Sequence, residues 1–185
     1  MIYESLTCVS NRLNNYFSNR FSLSEQKVMM SNLVNQDGTV AVRETDKLIL
    51  TMLNLQKENI GSGMGKSGGV YTNKPVNLNV YILFSAYFSE SNYKEGLKFI
   101  SALIGFFQGN PVFTRENTPD LDDKISKLTF ELENLSLQDL NHIWGMLGGK
   151  YLPSVVYKMR MITIQEGDIT GTFSNLSSAG SNFLR

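Results

Sequence analysis

The stretch from Pro75 to Thr114 changes its hydrophobic period once, from two residues to about 3.6, and this limits the fold more than any other feature. Val76, Leu78, Val80, Ile82, Phe84 and Ala86 occupy every second position. Alternation of that length predicts a strand with one face buried. The other face carries Asn77, Asn79 and Tyr81 first, then Leu83 and Tyr87, so its far end should be covered on both sides. After Phe88 the pattern turns helical over 92–108. Tyr93, Leu97, Ile100, Ile104 and Phe107 share one side, and Phe99, Leu103 and Phe106 widen that side to roughly half the circumference. A surface helix needs an apolar stripe of only about 100°. This helix therefore packs between two layers, or between one layer and a partner. Gly109 and Pro111 suit its end.

The rest of the chain is read around that unit. Ile2, Leu6, Val9, Leu13 and Phe17 mark an amphipathic helix over 1–21, with Asn11, Asn14, Asn15 and Asn19 expected outside. Asparagine is a mediocre helix former, so packing must hold this helix. A short strand is expected over 27–34, ended by the turn signal Asp37-Gly38. Residues 47–58 read as an interior strand: Leu48, Leu50 and Met52 face one way, Ile49, Leu53 and Leu55 the other. The glycine-dense segment 61–69 reads as a flexible loop. Pro119 and the acids Asp120, Asp122 and Asp123 mark a solvated loop over 115–126, followed by a half-exposed strand at 127–135. Ser136 and Asp139 form a capping-box pattern opening a helix over 136–147, with Leu137, Leu140, Ile143, Trp144 and Leu147 as its inner face and Gly148-Gly149 as its stop. A long last strand follows at 154–165. Beyond Gly167 the composition reads as a flexible tail with scattered Ile169, Phe173, Leu176, Phe183 and Leu184. The expected architecture is α+β: a mixed, mostly antiparallel sheet of four to five strands flanked by about three helices. One domain spans 1–166, with a tail at 167–185.

Composition removes several function classes. Seventeen basic residues balance seventeen acidic ones, so no net field gathers nucleic acid or an anionic membrane. Cys8 is the single cysteine, which excludes an intramolecular disulfide and fits a reducing cytosol. No apolar run reaches membrane-spanning length and no secretory leader pattern opens the chain. The expectation is a soluble, cytosolic domain.

No residue pattern assembles a catalytic or metal site. Gly61, Gly65, Lys66 and Ser67 approach a phosphate-binding loop, but Ile60 stands where the first glycine belongs and 68–75 cannot open the required helix. A small nucleotide-dependent enzyme using Lys66 and Ser67 is the rival reading. His142 is the only histidine and has no second histidine or cysteine pattern to share a zinc ion. The acids at 120–123 lack the glycine and terminal glutamate of a calcium loop. Catalytic, cofactor and metal residues are therefore expected to be absent. The over-wide helix, long last strand, glycine-rich loop and apolar-dotted tail instead suit a protein that touches copies of itself or other chains.

Four runs carry a family resemblance: Leu78–Phe88, Phe106–Thr114, Asn134–Trp144 and Gly148–Tyr157. They resemble, in order and over about residues 1–165, the N-terminal domain of the cap, or tail-terminator, proteins of phage-tail-like contractile injection systems. The resemblance implies a non-enzymatic structural protein without cofactor. It would form a ring, expected to be a hexamer, at the end of the inner tube and sheath. There it would stop polymerisation and hold sheath to tube. Longer members carry a further C-terminal region. Implied partners are further copies of the chain and the tube and sheath proteins, with neither nucleic acid nor membrane insertion. Implied localisation is cytoplasmic during assembly, within a particle that can be released from the cell. An assembly chaperone or adaptor of the same particle is a further alternative.

The resemblance supplies no interface residues, so physics must. Ring closure is expected at Phe99, Leu103 and Phe106, or at the loop containing Gly65 and Lys66. Sheath or tube contact is expected by strand addition along 154–165 and the tail, through Lys158, Arg160, Ile162, Ile164 and Phe173.

Overall fold

The structure is a computed structural model that describes residues 1–58, 70–72, 77–163 and 169–172, without side-chain detail at 70–72, 163 and 169–172. In chain order its elements are α1 (Ile2–Phe21), β1 (Val28–Met30), β2 (Lys47–Lys57), β3 (Val70–Thr72), β4 (Asn77–Tyr87), a 3-10 turn (Glu90–Asn92), α2 (Tyr93–Gly109), β5 (Val112–Thr114), β6 (Ile125–Leu132), α3 (Leu137–Leu147), β7 (Ser154–Thr163) and β8 (Ile169–Thr172). Six strands form one sheet in the order β1-β2-β4-β7-β6-β5, parallel only between β1 and β2. The α+β class and three helices are as expected; the sheet has six strands where four to five were anticipated. The sixth, β5, has three residues, too few to show a period. Residues 169–172, expected to lie in a tail, pair as β8 with β3 in a separate two-stranded ribbon.

Alternation along β4 divides the core. Val80, Ile82, Phe84 and Ala86 face α1 and α2, together with Leu48 and Leu50 of β2, Leu128 and Phe130 of β6, and Tyr157, Met159 and Met161 of β7. Aromatic rings run through this layer: Phe107 lies 4.5 Å from Tyr157 and 4.6 Å from Phe130, and Phe84 lies 5.8 Å from Phe107. Ring pairs at such distances add about 0.5–1.5 kcal/mol beyond area burial. The opposite face is covered over one half only. There Ile49, Leu83 and Val156 meet Trp144 of α3, with Leu33 and Val42 of the β1–β2 connection.

Several polar groups position these layers. Asn14, expected outside, is buried: its carboxamide oxygen accepts from the Lys27 and Val28 amides at 2.8 Å each, and its Nδ2 donates to the Val28 carbonyl at 3.0 Å. α1 is thus fixed to the sheet edge by hydrogen bonds as well as by its apolar stripe. Asp46, at positive φ (64°), accepts from the Ser89 amide and hydroxyl and from Asn92 Nδ2, tying the start of β2 to the start of α2. These hydrogen bonds, that of the Ser89 amide foremost, hold the Asp46 carboxyl below its ordinary pKa. Gly96 lets α2 approach β4, since a Cβ there would stand 3.1 Å from the Phe88 ring.

Three periodicity assignments are corrected by burial. Leu137 is exposed because it occupies the first turn of α3, and only Trp144 of that helix is buried. Tyr93 and Leu97 lie on the outer edge of α2. β2 is covered on both faces only up to Thr51; past a register shift between Met52 and Asn54, its residues are mostly exposed. The expected capping box of α3 is present, with Ser136 Oγ accepting from the Asp139 amide at 3.1 Å and the Asp139 carboxylate accepting from the Ser136 amide at 3.2 Å.

Candidate interaction surfaces

Side-chain alternation along β7 sends Tyr157, Met159 and Met161 into the core and leaves Lys158, Arg160 and Ile162 on the half-face that α3 does not cover. In register across the sheet, Lys158 lies between Tyr81 of β4 and Glu131 of β6, Arg160 between Asn79 and Thr129, and Ile162 between Asn77 and Lys127. Lys158 Nζ donates to Glu131 at 3.0 Å, and that hydrogen bond raises the lysine pKa. Arg160 Nε donates to Glu58 at the end of β2. Lys158 and Arg160 thus share one face of β7. Its cations are already paired within the subunit, which fixes their side chains and lowers the entropy an incoming partner would have to remove.

Main-chain edges decide where an extended arm could add. β7 is interior, paired with β4 on one side and β6 on the other, so its main chain offers no free edge. The strand addition expected there is excluded by geometry. At one end of the sheet, Asn14 fills the outward groups of Val28. At the other, Asn117 does the same for β5: its Oδ1 accepts from the Thr114 amide at 2.9 Å, its Nδ2 donates to the Val112 carbonyl at 3.0 Å, and the Thr118 amide donates to the Thr114 carbonyl at 2.8 Å. Two asparagines, one per edge, imitate a neighbouring strand. Unpaired edges invite association, and side chains that occupy them prevent it. A longer open edge is β2 beyond β1. β1 ends at Met30, opposite Leu50, and from Met52 to Lys57 the outer edge of β2 has no partner strand among the described residues. Met52 (45% exposed) and Leu55 (40%) sit on it, and the Leu55 amide turns to Asn54 Oδ1 at 2.8 Å.

The other expected residues fall elsewhere. Phe99, Leu103 and Phe106 are buried inside the subunit, with Phe99 5.2 Å from Phe17 and Phe106 5.0 Å from Tyr16 of α1. The half-circumference stripe of α2 is filled by the sheet on one side and α1 on the other, which is the two-layer alternative. Gly65, Lys66, Ile164 and Phe173 lie outside the described residues. The glycine-rich segment 61–69 lies outside the described residues, and the residues that follow it, Val70–Thr72, form strand β3, where a phosphate-binding loop would open a helix. Among the described residues no three His, Cys, Asp or Glu side chains gather as a metal site, and no helix is long and apolar enough to cross a membrane. His142 is exposed on α3, and burial raises the pKa of the Cys8 thiol.

The family model described as the Pvc16 N-terminal domain matches residues 6–172. The chain belongs to this family. Two solved structures share the fold. The first is the sheath/tube terminator of the extracellular contractile injection system PVC in its extended state (TM-score 0.63, 11% identity, covering 100% of this chain and 64% of that one). The second is the tube-terminating cap of the anti-feeding prophage (TM-score 0.52, 12% identity, covering 93% of this chain and 60% of that one). The chain thus corresponds to under two thirds of the length of either. No curated protein sequence matches it. The family matched is the one the four sequence runs resemble, and its match extends through β8, past the expected boundary at 166.

Proposed function

We propose that this Pvc16-type domain is a terminator of a contractile injection tube, assembling as a ring, six-fold in the family expectation, at the end of the tube and sheath. The observation that carries this is the family match over residues 6–172, and the fold shared with a sheath/tube terminator over the whole chain supports it. A stack of rings grows because each ring offers the next a complementary surface, and a contact of this kind does not close along the axis. A subunit that matches the last ring on one side and offers nothing stackable on the other stops growth. The asparagine-filled edges at β1 and β5 supply that second property, since they remove main-chain groups on which a further chain could pair.

Attachment to sheath or tube uses what remains open. An extended arm adds along Met52–Lys57 of β2, its side chains covering Met52 and Leu55, while Lys158, Arg160 and Ile162 meet the same partner across the polar half-face. Assembly takes place in the cytoplasm. The domain performs no reaction.

The test is electron microscopy of particles assembled without the chain and with the variant Leu55→Pro. The Leu55 amide does not join the β4 ladder, so proline suits this edge position. Without the chain, tubes should vary in length and sheaths should lie unattached. With Leu55→Pro, tube length should be uniform and sheath attachment lost. Uniform tubes with attached sheaths in the absence of the chain would refute the terminator role.

A further inference from the structure

α1 and α2 leave between them a groove of about 490 Å³ whose chemistry is one-sided. Arg20 of α1 and Lys94 and Lys98 of α2 line it, and no described carboxylate pairs with any of the three. Arg20 is held in place by a 2.8 Å hydrogen bond to the Tyr16 hydroxyl. Apolar area lies among the cations: Leu97 is 40% exposed and Phe21 36%. Gly105 keeps the far wall low, because a Cβ there would meet nothing within 4 Å. The complement of such a groove is an apolar side chain flanked by carboxylates.

The chain itself carries that complement. The corner segment joining β6 to α3 carries Glu131, Glu133 and Asp139 among Leu132, Leu135 and Leu137 in sequence, with Glu131 on the sheet face opposite that of Leu132. Leu137, 87% exposed, is the most exposed large hydrophobic residue among the described ones. Lys158 offsets one of the three acids, through its bond to Glu131, and the corner stays net negative. α3 packs on the sheet face opposite α1 and α2, so a molecule cannot turn this corner into its own groove. Two complementary patches on opposite faces favour head-to-tail contact between copies, which closes into a ring when the rotation allows. They also explain how a chain of zero formal net charge could still orient its neighbours.

We infer that the β6–α3 corner of one copy, led by Leu137, seats in the α1/α2 groove of the next, with Glu131 and Glu133 meeting Lys94 and Lys98. This rests on the ring reading above and names its contact.

The experiment is a charge swap in the full chain, with assembly state read by native mass spectrometry in the presence of tube and thermal melts confirming that each variant folds. Lys94→Glu with Lys98→Glu should weaken self-association by about tenfold or more, as should Glu131→Lys with Glu133→Lys, and the four changes together should restore it. A second arm places cysteines by Ser101→Cys and Leu137→Cys, where oxidation should give a ladder of covalent oligomers ending at the ring size. The buried Cys8 should stay out of the reaction. Rings that persist through the charge reversals and do not cross-link would overturn this contact while leaving the ring standing. Rings that stay intact but detach from tube or sheath would assign the groove to another protein and also overturn it. A wild-type chain that remains monomeric with tube present would remove the ring reading and this contact together.

Discussion

The two faces of the sheet divide the work differently. Under α1 and α2 every inward position from β2 to β6 is apolar, and aromatic rings interlock through the layer. Under α3 the cover stops halfway, a single buried tryptophan closes it, and the remaining half carries Lys158, Arg160, Glu58 and Glu131 in pairs. The first face supplies stability. The second supplies a shaped, charged surface that costs the fold little, since exposed ion pairs contribute only about 0–1 kcal/mol. One face can be left as an open, charged surface in this way because the other holds the domain together.

The sharpest way to break this contrast is to empty each side in turn. Phe107→Ala should cost about 3–5 kcal/mol in urea unfolding, because four rings lose a partner at once. Leu137→Ser, on the α3 side, should stay within about 0.5 kcal/mol of the parent. Equal losses would mean that the two faces are not divided as described.

Next in size is the sheet edge. Asn14→Ala removes three hydrogen bonds, leaves the amides of Lys27 and Val28 to find water beneath α1, and leaves the Val28 carbonyl with Ser10 Oγ at 3.4 Å. The expected loss is about 1–3 kcal/mol, with amide exchange faster at Lys27 and Val28. Exchange unchanged at those two amides would show that the helix does not secure the edge.

Smallest is the acid response of Asp46. Its carboxyl is depressed in the fold by the Ser89 amide and its neighbours. The stability it contributes is therefore present above the ordinary aspartate pKa of about 3.9 and disappears as pH falls through the lower folded value. Asp46→Ala should be less stable than the parent at pH 7, and the gap should narrow as pH drops below about 4. A gap independent of pH would contradict the role given to the ionised form.

What could be read in advance follows from which signals are local. The β4-to-α2 switch was legible because each half carries its own period, and the Ser136–Asp139 cap because two residues three positions apart define it. Asn14 was not legible: its partners Lys27 and Val28 belong to another element, so its sequence neighbourhood resembles that of any exposed asparagine. Leu97, Tyr93 and Leu137 fit their stripes, but a period says which residues align and not where the covering layer ends. β3, β5 and β8 are three or four residues long and show no alternation. For the candidate surfaces, alternation marked Lys158 and Arg160 as outward-facing. Whether β7 is an edge strand depends on strand order, which no strand's own residues state, so strand addition was expected on a strand that proves interior. Phe99, Leu103 and Phe106 were expected at a ring contact because the width of their stripe is the same whether α1 or another subunit covers it.

The most direct test of the central claim is elongation of purified tube protein followed by light scattering, with the full chain added in amounts equal to the number of tube ends. Growth should stop at once, and negative-stain images should show one ring seated at each tube end. Continued elongation with the chain free in solution would contradict the account.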